Sequence, residues 1–277
     1  MLTISLIIPV YNEERHIKAC LDAVANQTKM PLEVLVIDNN CSDKTIEIAR
    51  QYKFVKIIKE KKQGLIAARN KGFNSATSDI LGRIDADSVL KPDWAETVLE
   101  SFRADSELQG LTGLAKTYLF PFAKQFTFTA VSKSYLQFIE SSYRVDMMWG
   151  ANMAIKRSAW QKVKNNVCLD DSIVHEDQDI SCCMSLHDLK TKRNNNLLMR
   201  SDDDSLTYLP KFIEYDKRRK STKELHRQMG SIAPKKRTVH SPIKIAYGLF
   251  IGHLFRAYFW IGGSIILFFE KLKRSSE

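Results

Sequence analysis

Two aspartates at alternate positions are the strongest indication of chemistry in this sequence. Asp85 and Asp87 lie in residues 82–88, directly after an apolar pair at residues 80–81. Side chains at alternate positions of a strand point the same way, so both carboxylates should leave the strand's end together. Carboxylate oxygens suit Mg²⁺ or Mn²⁺, which usually also bind a substrate's phosphates. An isolated Asp-x-Asp is more often a solvated turn, so the surrounding sequence has to decide.

The first ninety residues alternate predicted strands with predicted helices. Strand-type apolar runs occur at residues 4–8, 34–37, 54–58 and 79–84. Helices are predicted after Asn12, which can cap a first turn holding Glu13 and Glu14, after residues 42–43, and over residues 65–76. This order implies right-handed crossovers and an α/β fold with a mainly parallel central sheet flanked by helices.

Three carboxylates should meet at one edge of that sheet. Ligands of such sheets bind outside the carboxyl ends of the strands, which is where Asp38, Asp85 and Asp87 fall. Close carboxylate pairs repel by about 1 to 4 kcal/mol unless cations or donors lie among them. A nucleotide diphosphate with its metal would satisfy them. The Gly-x-Gly-x-x-Gly and P-loop motifs are both absent, which disfavours the Rossmann and P-loop modes of binding.

Composition and charge limit the class of protein. The 277 residues are 44% hydrophobic and 27% charged, which is typical of a globular protein. A net charge of +10 favours a polyanionic partner: nucleic acid, anionic lipid or a phosphorylated substrate. The five cysteines form no C-x-x-C pair, so a reducing compartment is expected rather than a disulfide framework or a zinc knuckle. The first residues do not have the pattern of a leader peptide, so export is not expected.

Six blocks of sequence stand in an order and spacing that resemble one known family. They are residues 5–14, 36–45, 64–72, 85–88, 150–152 and 175–179. Together they resemble the family 2 glycosyltransferases, which have the GT-A fold of nucleotide-diphospho-sugar transferases. The resemblance covers roughly the first 200 residues. It implies an inverting transferase that uses a nucleotide-sugar donor, with a UDP-sugar the expected donor.

The resemblance also implies roles for individual residues. The nucleotide would be contacted by Pro9, Tyr11, Glu13, Asp38, Arg69 and Asp85. Asp38 would hydrogen-bond the base or ribose, and Asp85 the ribose side of the donor. Asp87, with Asp85 beside it, would hold the divalent metal, Mn²⁺ or Mg²⁺. On residue type alone, the Tyr11 ring is as well explained by packing on its own loop.

An acidic cluster at residues 176–179 supplies the candidates for a general base. The resemblance implies that Asp177 takes the proton of the acceptor hydroxyl, with Glu176 as its rival and Asp179 as a weaker candidate. The alternative is a solvated helix start, because acidic residues are favoured in a first turn by the helix dipole.

The segment before that cluster has two interpretations. Gly150 followed by Ala151 and Asn152 would permit close backbone approach to a sugar, or would form a strand-edge turn. Trp149 would stack on a sugar ring or fill the core. The Gln-x-x-Arg-Trp block of processive synthases is absent, so one sugar or a few are expected to be added.

The last 72 residues divide by composition into two predicted segments after a transferase domain at residues 1–205. Residues 206–242 are basic, and eleven Lys or Arg lie between Lys211 and Lys244. Residues 243–277 are apolar, but the longest uncharged run there has 13 residues, fewer than the roughly 20 that span a bilayer. Helices lying in the membrane interface are favoured over one span, with a core or oligomer-interface helix as the alternative.

The sequence therefore predicts a metal-dependent glycosyltransferase at the cytoplasmic face of the cell membrane. Its expected partners are a nucleotide-sugar, a glycan or lipid-linked acceptor and the membrane surface, not nucleic acid, in a role such as cell-envelope polysaccharide synthesis. A sugar nucleotidylyltransferase would need a Gly-rich loop with an Arg after the first strand, and residues 9–12 lack one. The alternative from another class is a catalytically silent nucleotide-sugar-binding or membrane scaffold protein.

Overall fold

The structure is a computed structural model that describes residues 1–118, 127–201 and 209–231. Its strands are β1 (Ile4–Val10), β2 (Glu33–Asp38), β3 (Val55–Lys59), β4 (Ile80–Ile84), β5 (Ser88–Leu90), β6 (Gly110–Tyr118), β7 (Thr127–Phe128), β8 (Asn152–Lys156) and β9 (Thr191–Ser201). Its helices are α1 (Ile17–Ala25), α2 (Thr45–Ala49), α3 (Leu65–Ser75), α4 (Trp94–Ala104), α5 (Thr129–Tyr143), α6 (Arg157–Val163), α7 (Glu176–Leu186) and α8 (Leu209–Gln228).

The strands form one mixed sheet in the order β3-β2-β1-β4-β8-β6-β9-β5, with β7 paired to β6. Strands β1 to β4 are mutually parallel, as predicted. Beyond β4, β8 pairs antiparallel to both β4 and β6, while β9 runs parallel to β6 and antiparallel to β5. Since β1, β2 and β4 are parallel neighbours, the loops that follow them emerge at the same edge.

The sheet lies between two layers of helices, which explains why β1 is apolar throughout. All seven residues of β1 are buried. Leu6 and Ile8 pack in the cluster that contains the buried face of α1 and Trp94 of α4. Ile7 points the other way, toward Phe73 of α3 and the residues of α6 and α7. A strand that is buried on both faces requires this continuous apolar run.

The first loop differs from the prediction made for it. The helix begins at Ile17, so Asn12 does not cap it and no acidic residue lies in its first turn. Asn12 instead adopts φ 55°, and its Oδ1 accepts a hydrogen bond from the Ser42 amide at 2.8 Å. Glu14 accepts in the same way from the Lys44 amide. These polar side chains tie the loop after β1 to the loop after β2 instead of starting a helix.

The C-terminal predictions fall mostly beyond what the structure describes. The boundary near residue 205 and the apolar segment at residues 243–277 lie outside the described residues. Among the described residues, none of the helices combines the length and apolarity needed to cross a bilayer. The basic segment does contribute α8, which packs on α7.

Candidate active site

A cleft of about 660 Å³ opens at the edge where β1, β2 and β4 end. We call it the large cleft. Five of the predicted site residues line it: Pro9, Tyr11, Glu13, Asp85 and Asp87. The topology brings them together because Val10 and Asp38 are register partners and β4 lies on the other side of β1. Tyr11 is 53% exposed, so its ring lies open to the cleft instead of packing in the core.

Asp38 lies beside the large cleft without lining it. Its carboxylate accepts a hydrogen bond from the Cys41 amide at 2.9 Å and lies 3.1 Å from Lys59 Nζ. Burial raises the pKa of Asp38, but the Cys41 amide and Lys59 outweigh burial, so the pKa is lowered. Its neighbour Asn39 lines the cleft instead, and its Oδ1 accepts from the Gly64 amide at the start of α3.

Asp85 and Asp87 create a region of negative charge at the floor of the large cleft. Both are partly exposed, and Asp85 Oδ1 lies 2.6 Å from Arg83 Nη2. The effect reaches the buried thiol of Cys20, whose pKa is raised by burial and then by Asp87, Asp85 and Glu13. Two accessible carboxylates in such a field fit a hard divalent cation such as Mn²⁺ or Mg²⁺, which prefers oxygen ligands.

A second, smaller cavity of about 150 Å³ adjoins the large cleft. We call it the small cavity. Leu65, Asp85 and Tyr215 line both spaces, so they form the passage between them. Asp177, His175 and Trp149 line the small cavity but not the large cleft. The aspartates that follow β4 and the predicted base at the start of α7 therefore face adjoining spaces.

Glu176 is held between two buried arginines. Its Oε1 accepts from Arg69 Nη1 at 2.8 Å, and its Oε2 lies 3.4 Å from Arg83 Nη1. Arg69 is fully buried and lines neither cavity, so the structure does not place its side chain against the predicted nucleotide site. Glu176 lines the small cavity, but both of its oxygens are already paired. This arrangement favours Asp177 over Glu176 as the group that accepts a proton.

Asp177 is buried and has two neighbours at its carboxylate. Its Oδ2 accepts from the Gly150 amide at 3.2 Å, and its Oδ1 lies 2.7 Å from His175 Nδ1, although these two atoms are not aligned for a hydrogen bond. Burial raises the pKa of Asp177, and His175, the Gly150 amide and Arg83 together outweigh burial, so the pKa is lowered. Burial lowers the pKa of His175, whereas Asp177 raises it above its ordinary value.

Asp179 does not reach either cavity, which removes it as a candidate base. It is fully buried, and its Oδ1 lies 2.9 Å from His226 Nε2 on α8, while its Oδ2 accepts from the Cys168 amide at 3.0 Å. Cys183 adds a third potential metal ligand within 4.8 Å of these two side chains. Because both Asp179 oxygens already have hydrogen-bond partners, we interpret the group as a buried contact between α7 and α8.

Gly150 leaves the space that the Arg83 side chain occupies. A Cβ atom on Gly150 would lie 1.6 Å from Arg83 Nη1. Asn152 is also structural, since it is fully buried and bonds to Trp94 and to the carbonyls of Leu114 and Leu197. Ala151 and Trp149 do line the small cavity. The turn thus fixes Arg83 and Asp177 with one side and borders the cavity with the other.

Buried polar atoms without a hydrogen-bond partner concentrate in this cluster. The described residues contain five such atoms, and four of them belong to the buried arginines, the histidine and the aspartate of this cluster: Arg69 Nη2, Arg83 Nε, His175 Nδ1 and Asp177 Oδ1. Folded proteins satisfy most buried polar atoms, so a local excess requires an explanation. Two of the four, His175 Nδ1 and Asp177 Oδ1, lie 2.7 Å apart, so each faces the other even though the pair is not aligned for a hydrogen bond.

Several residues of the small cavity could not be identified from the sequence. Asp171 lines it, and its carboxylate accepts from the Ile66 amide at the start of α3, where Gly64 (φ 136°) leaves room for it. Burial raises the pKa of Asp171. Tyr215 and Arg218 reach the cavity from α8. Arg83 had a visible signal, a charged residue inside an otherwise apolar strand.

The basic run at residues 217–220 divides between exposed and interior positions. Lys217 and Lys220 are exposed. Arg218 lines the small cavity, whereas Arg219 is buried against Asp216 and over the ring of Phe138. The two lysines of this run therefore face solvent, whereas the two arginines face the interior of the protein.

Comparison with known proteins identifies the class. The profile of "Glycosyl transferase family 2" matches residues 5–163, more than half of the chain. This chain therefore belongs to glycosyl transferase family 2. The family was recognised correctly from its six sequence blocks.

Relatives and solved structures agree with that class. The chain is 43% identical over 100 residues to glycosyltransferase AglE of Haloferax volcanii, covering 34% of this chain and 33% of AglE. It is 32% identical over 109 residues to a chondroitin synthase of Escherichia coli, covering 38% of this chain and 16% of the synthase. The matches thus span a third or less of these relatives' length.

Two solved structures share the fold. Mannosyltransferase PcManGT of Pyrobaculum calidifontis, in complex with GDP-Man and Mn²⁺, superposes with a TM-score of 0.66 at 15% identity, covering 95% of this chain and 73% of that one. Glucosyl-3-phosphoglycerate synthase of Mycobacterium tuberculosis, with Mn²⁺ and UDP, gives 0.55 at 14% identity, covering 73% and 72%. The α/β GT-A-like fold is confirmed.

Proposed function

We propose that this protein transfers a sugar from a nucleotide-diphosphate sugar to an acceptor hydroxyl, with inversion at the anomeric carbon. One observation carries the proposal: the carboxylates after β4 and the Asp177 carboxylate face two adjoining spaces joined at Asp85 and Tyr215. The large cleft has the size and polar lining for a nucleotide. The small cavity would then receive the sugar and the acceptor hydroxyl.

The nucleotide side of the proposal depends on the strand-end loops. Tyr11 offers an exposed ring for the base, and Asn39 lines the large cleft. Asp38, which lies beside the cleft, would hydrogen-bond the base or ribose. Asp87, with Asp85, would hold Mn²⁺ or Mg²⁺. That ion, when bound, offsets charge on the departing diphosphate. The solved neighbours that bind Mn²⁺ with GDP-Man or UDP support this assignment, and a UDP-sugar remains the expected donor.

The chemical step assigned to Asp177 is proton removal. The acceptor oxygen attacks the anomeric carbon while the Asp177 carboxylate takes its proton. The bond from that carbon to the diphosphate oxygen breaks, and its electron pair leaves with the nucleoside diphosphate. A single displacement of this kind inverts the configuration. The lowered pKa of Asp177 keeps it ionised and ready to accept.

Arg69 and Arg83 support this step indirectly, through Glu176. They hold Glu176 in place, and Glu176 precedes Asp177 at the start of α7. Gly150 leaves space for Arg83 and donates its amide to Asp177. We therefore assign Arg69 a positioning role instead of a direct contact with the nucleotide.

The acceptor is proposed to be a glycan or a lipid-linked glycan at the cytoplasmic face of the membrane. Exposed apolar side chains border the site: Leu65 (43% exposed) lines both spaces, and Leu169 and Ile173 flank Asp171 in the loop beside it. A net charge of +10 suits anionic headgroups.

The test is binding and slow hydrolysis of UDP-, GDP- and dTDP-sugars, with and without Mn²⁺, by the wild type and Asp87→Asn. We expect one donor to bind in a metal-dependent way, with affinity falling about 100-fold or more in the variant. Asp93→Asn is the control, because Asp93 is an exposed carboxylate paired with Lys91 and lies outside both spaces. Equal binding by Asp87→Asn would overturn the metal assignment. Donor binding without any turnover in wild type would favour the silent scaffold.

A further inference from the structure

Two polar contacts, one helical turn apart, fasten α8 to the start of α7. The His175 amide donates to Thr222 Oγ1 at 2.7 Å, and His226 Nε2 lies 2.9 Å from Asp179 Oδ1. The partners are four residues apart on each side, so each pair lies on one helix face. Thr222, His226 and Asp179 are all fully buried. The segment that composition sets apart after residue 205 is therefore joined to the helix that carries Asp177.

Both contacts use the hydrogen-bonding capacity of the buried groups. The Thr222 hydroxyl accepts from His175 and donates to the Arg218 carbonyl at 2.7 Å. His226 uses its second ring nitrogen on Ser231 Oγ at 3.2 Å. An unsatisfied buried polar group costs about 1 to 3 kcal/mol, so these pairings fix how the two helices meet.

The first contact leads directly to the proposed base. His175 is the residue before α7, and its amide is the group that Thr222 holds. Its imidazole lies 2.7 Å from the Asp177 carboxylate and meets the Tyr215 ring edge-on at 5.2 Å. It also lines the small cavity. Moving α8 would therefore move His175, and His175 touches Asp177.

We propose that His175 is a positioning residue that orients the Asp177 carboxylate in the small cavity, and that α8 holds His175 through Thr222. One turn later, His226 fastens α8 to Asp179 of α7. The catalytic unit then includes α8, which lies outside the matched family region of residues 5–163. The part of this inference that concerns turnover rests on the proposed function, whereas the His175–Asp177 contact does not.

The charges around His175 agree with this role. Asp177 and Glu176 face it from α7, and Arg218 faces it from α8. The other charged groups of the cavity are Arg83, Asp85 and Asp171. Burial lowers the pKa of His175, but the two carboxylates outweigh burial and Arg218 together. The neighbouring carboxylates therefore favour the protonated form of the His175 imidazole.

The first measurement is independent of activity: an NMR titration of His175 in the full chain, with the signal assigned by its loss in His175→Asn. We expect the pKa of His175 to lie above 6.5 in the wild type and to fall in Asp177→Asn. An unchanged His175 titration in Asp177→Asn would overturn the contact.

The second measurement separates positioning from simple stabilisation. Thr222→Val removes the hydroxyl at nearly constant shape, and we expect kcat to fall about 10- to 100-fold with little change in the donor KM. Thr222→Ser should restore kcat, and Ser221→Ala, next to it on α8, should leave kcat unchanged. In His175→Asn the acid limb of the kcat profile should move to higher pH, because Asp177 loses its cationic neighbour.

Three results would decide between the alternatives. A Thr222→Val protein that melts earlier but keeps its kcat would show that the contact only stabilises the fold, and the proposal would be wrong. If the acid limb of the kcat–pH profile of His175→Asn stays at the wild-type pH, the proposal is also contradicted. If the wild type turns over no donor while the His175 titration still responds to Asp177→Asn, the contact stands and the proposed function fails.

Discussion

The two sets of carboxylates in this site differ in how accessible they are. In the strand-end set, Asp85 and Asp87 line the large cleft and are partly exposed there, and Asp38 lies beside it. In the set at the start of α7, each member is paired internally: Glu176 with Arg69 and Arg83, Asp177 with His175, and Asp179 with His226. Asp38 and Asp85 also have a protein cation nearby, but the exposure of Asp85 and Asp87 leaves them accessible from the large cleft, whereas the carboxylates of α7 are buried.

This difference is consistent with the two roles that we propose for the sets. A carboxylate that must bind and release a metal with each substrate needs access, which the strand ends provide. A carboxylate that must wait in one orientation for a hydroxyl needs fixed neighbours, which only a buried network provides. Glu176, Asp177 and Asp179 are spaced i, i+1 and i+3 on α7, so their side chains meet different partners. Of the three, only Asp177 lines the small cavity without being paired with two arginines.

The largest expected effect comes from Asp177→Asn. Losing a general base typically costs about 10²- to 10⁴-fold in rate, and we expect this loss in kcat with donor affinity retained. The matched variant is Asp179→Asn, two residues away. There we expect a stability loss of about 1 to 3 kcal/mol, because buried hydrogen bonds of Asp179 with His226 and the Cys168 amide are disturbed, and a smaller loss of turnover. Steady-state kinetics and denaturant unfolding of both variants test this. If Asp179→Asn loses more turnover than Asp177→Asn, the two roles are reversed.

The next effect compares an internal cation with an exposed one. Arg69→Met leaves Glu176 buried with only Arg83, and breaking a buried ion pair costs about 3 to 5 kcal/mol. Lys59→Met removes the partner of Asp38, but Lys59 is 55% exposed, so the cost should be below about 1 kcal/mol. Urea unfolding of the two variants measures the difference. Similar losses of unfolding free energy in both variants would mean that the carboxylates of α7 are no better shielded from solvent than those at the strand ends.

The comparison also explains which parts were predictable from sequence. The strand-end set follows from local pattern, since apolar runs that end in Asp38 or Asp85 place those residues at one sheet edge once the strands are parallel. The partners of the helix set are distant in the chain: 107 residues separate Arg69 from Glu176, and 47 separate His175 from Thr222. Spacing carries no information about such contacts.

One wrong prediction and one incomplete interpretation have the same physical origin. Asn12 has the residue type of a helix cap, but its side chain accepts a hydrogen bond from the Ser42 amide of a neighbouring loop. The pattern at Gly150 leaves two interpretations open, and it does not reveal that a Cβ there would lie 1.6 Å from Arg83 Nη1. In both cases the deciding neighbour is a tertiary one. The sequence indicates that a residue is special without indicating which neighbour makes it so.

The smallest expected effect is a pH dependence of stability that only the helix set should show on the alkaline side. The folded pKa of His175 is raised, so its pairing with Asp177 stabilises the protein fully below pH 6.5 and less as the pH rises through the folded value. The folded pKa of Asp177 is lowered, so its share is present above pH 3.8 and is lost as the pH falls through the folded value. Asp38 also has a lowered pKa and contributes only on the acid side. The free energy of unfolding should therefore decline above pH 6.5 in the wild type, and this decline should be smaller in Asp177→Asn but unchanged in Asp38→Asn. An equal decline in all three proteins would place its origin outside the His175–Asp177 pair.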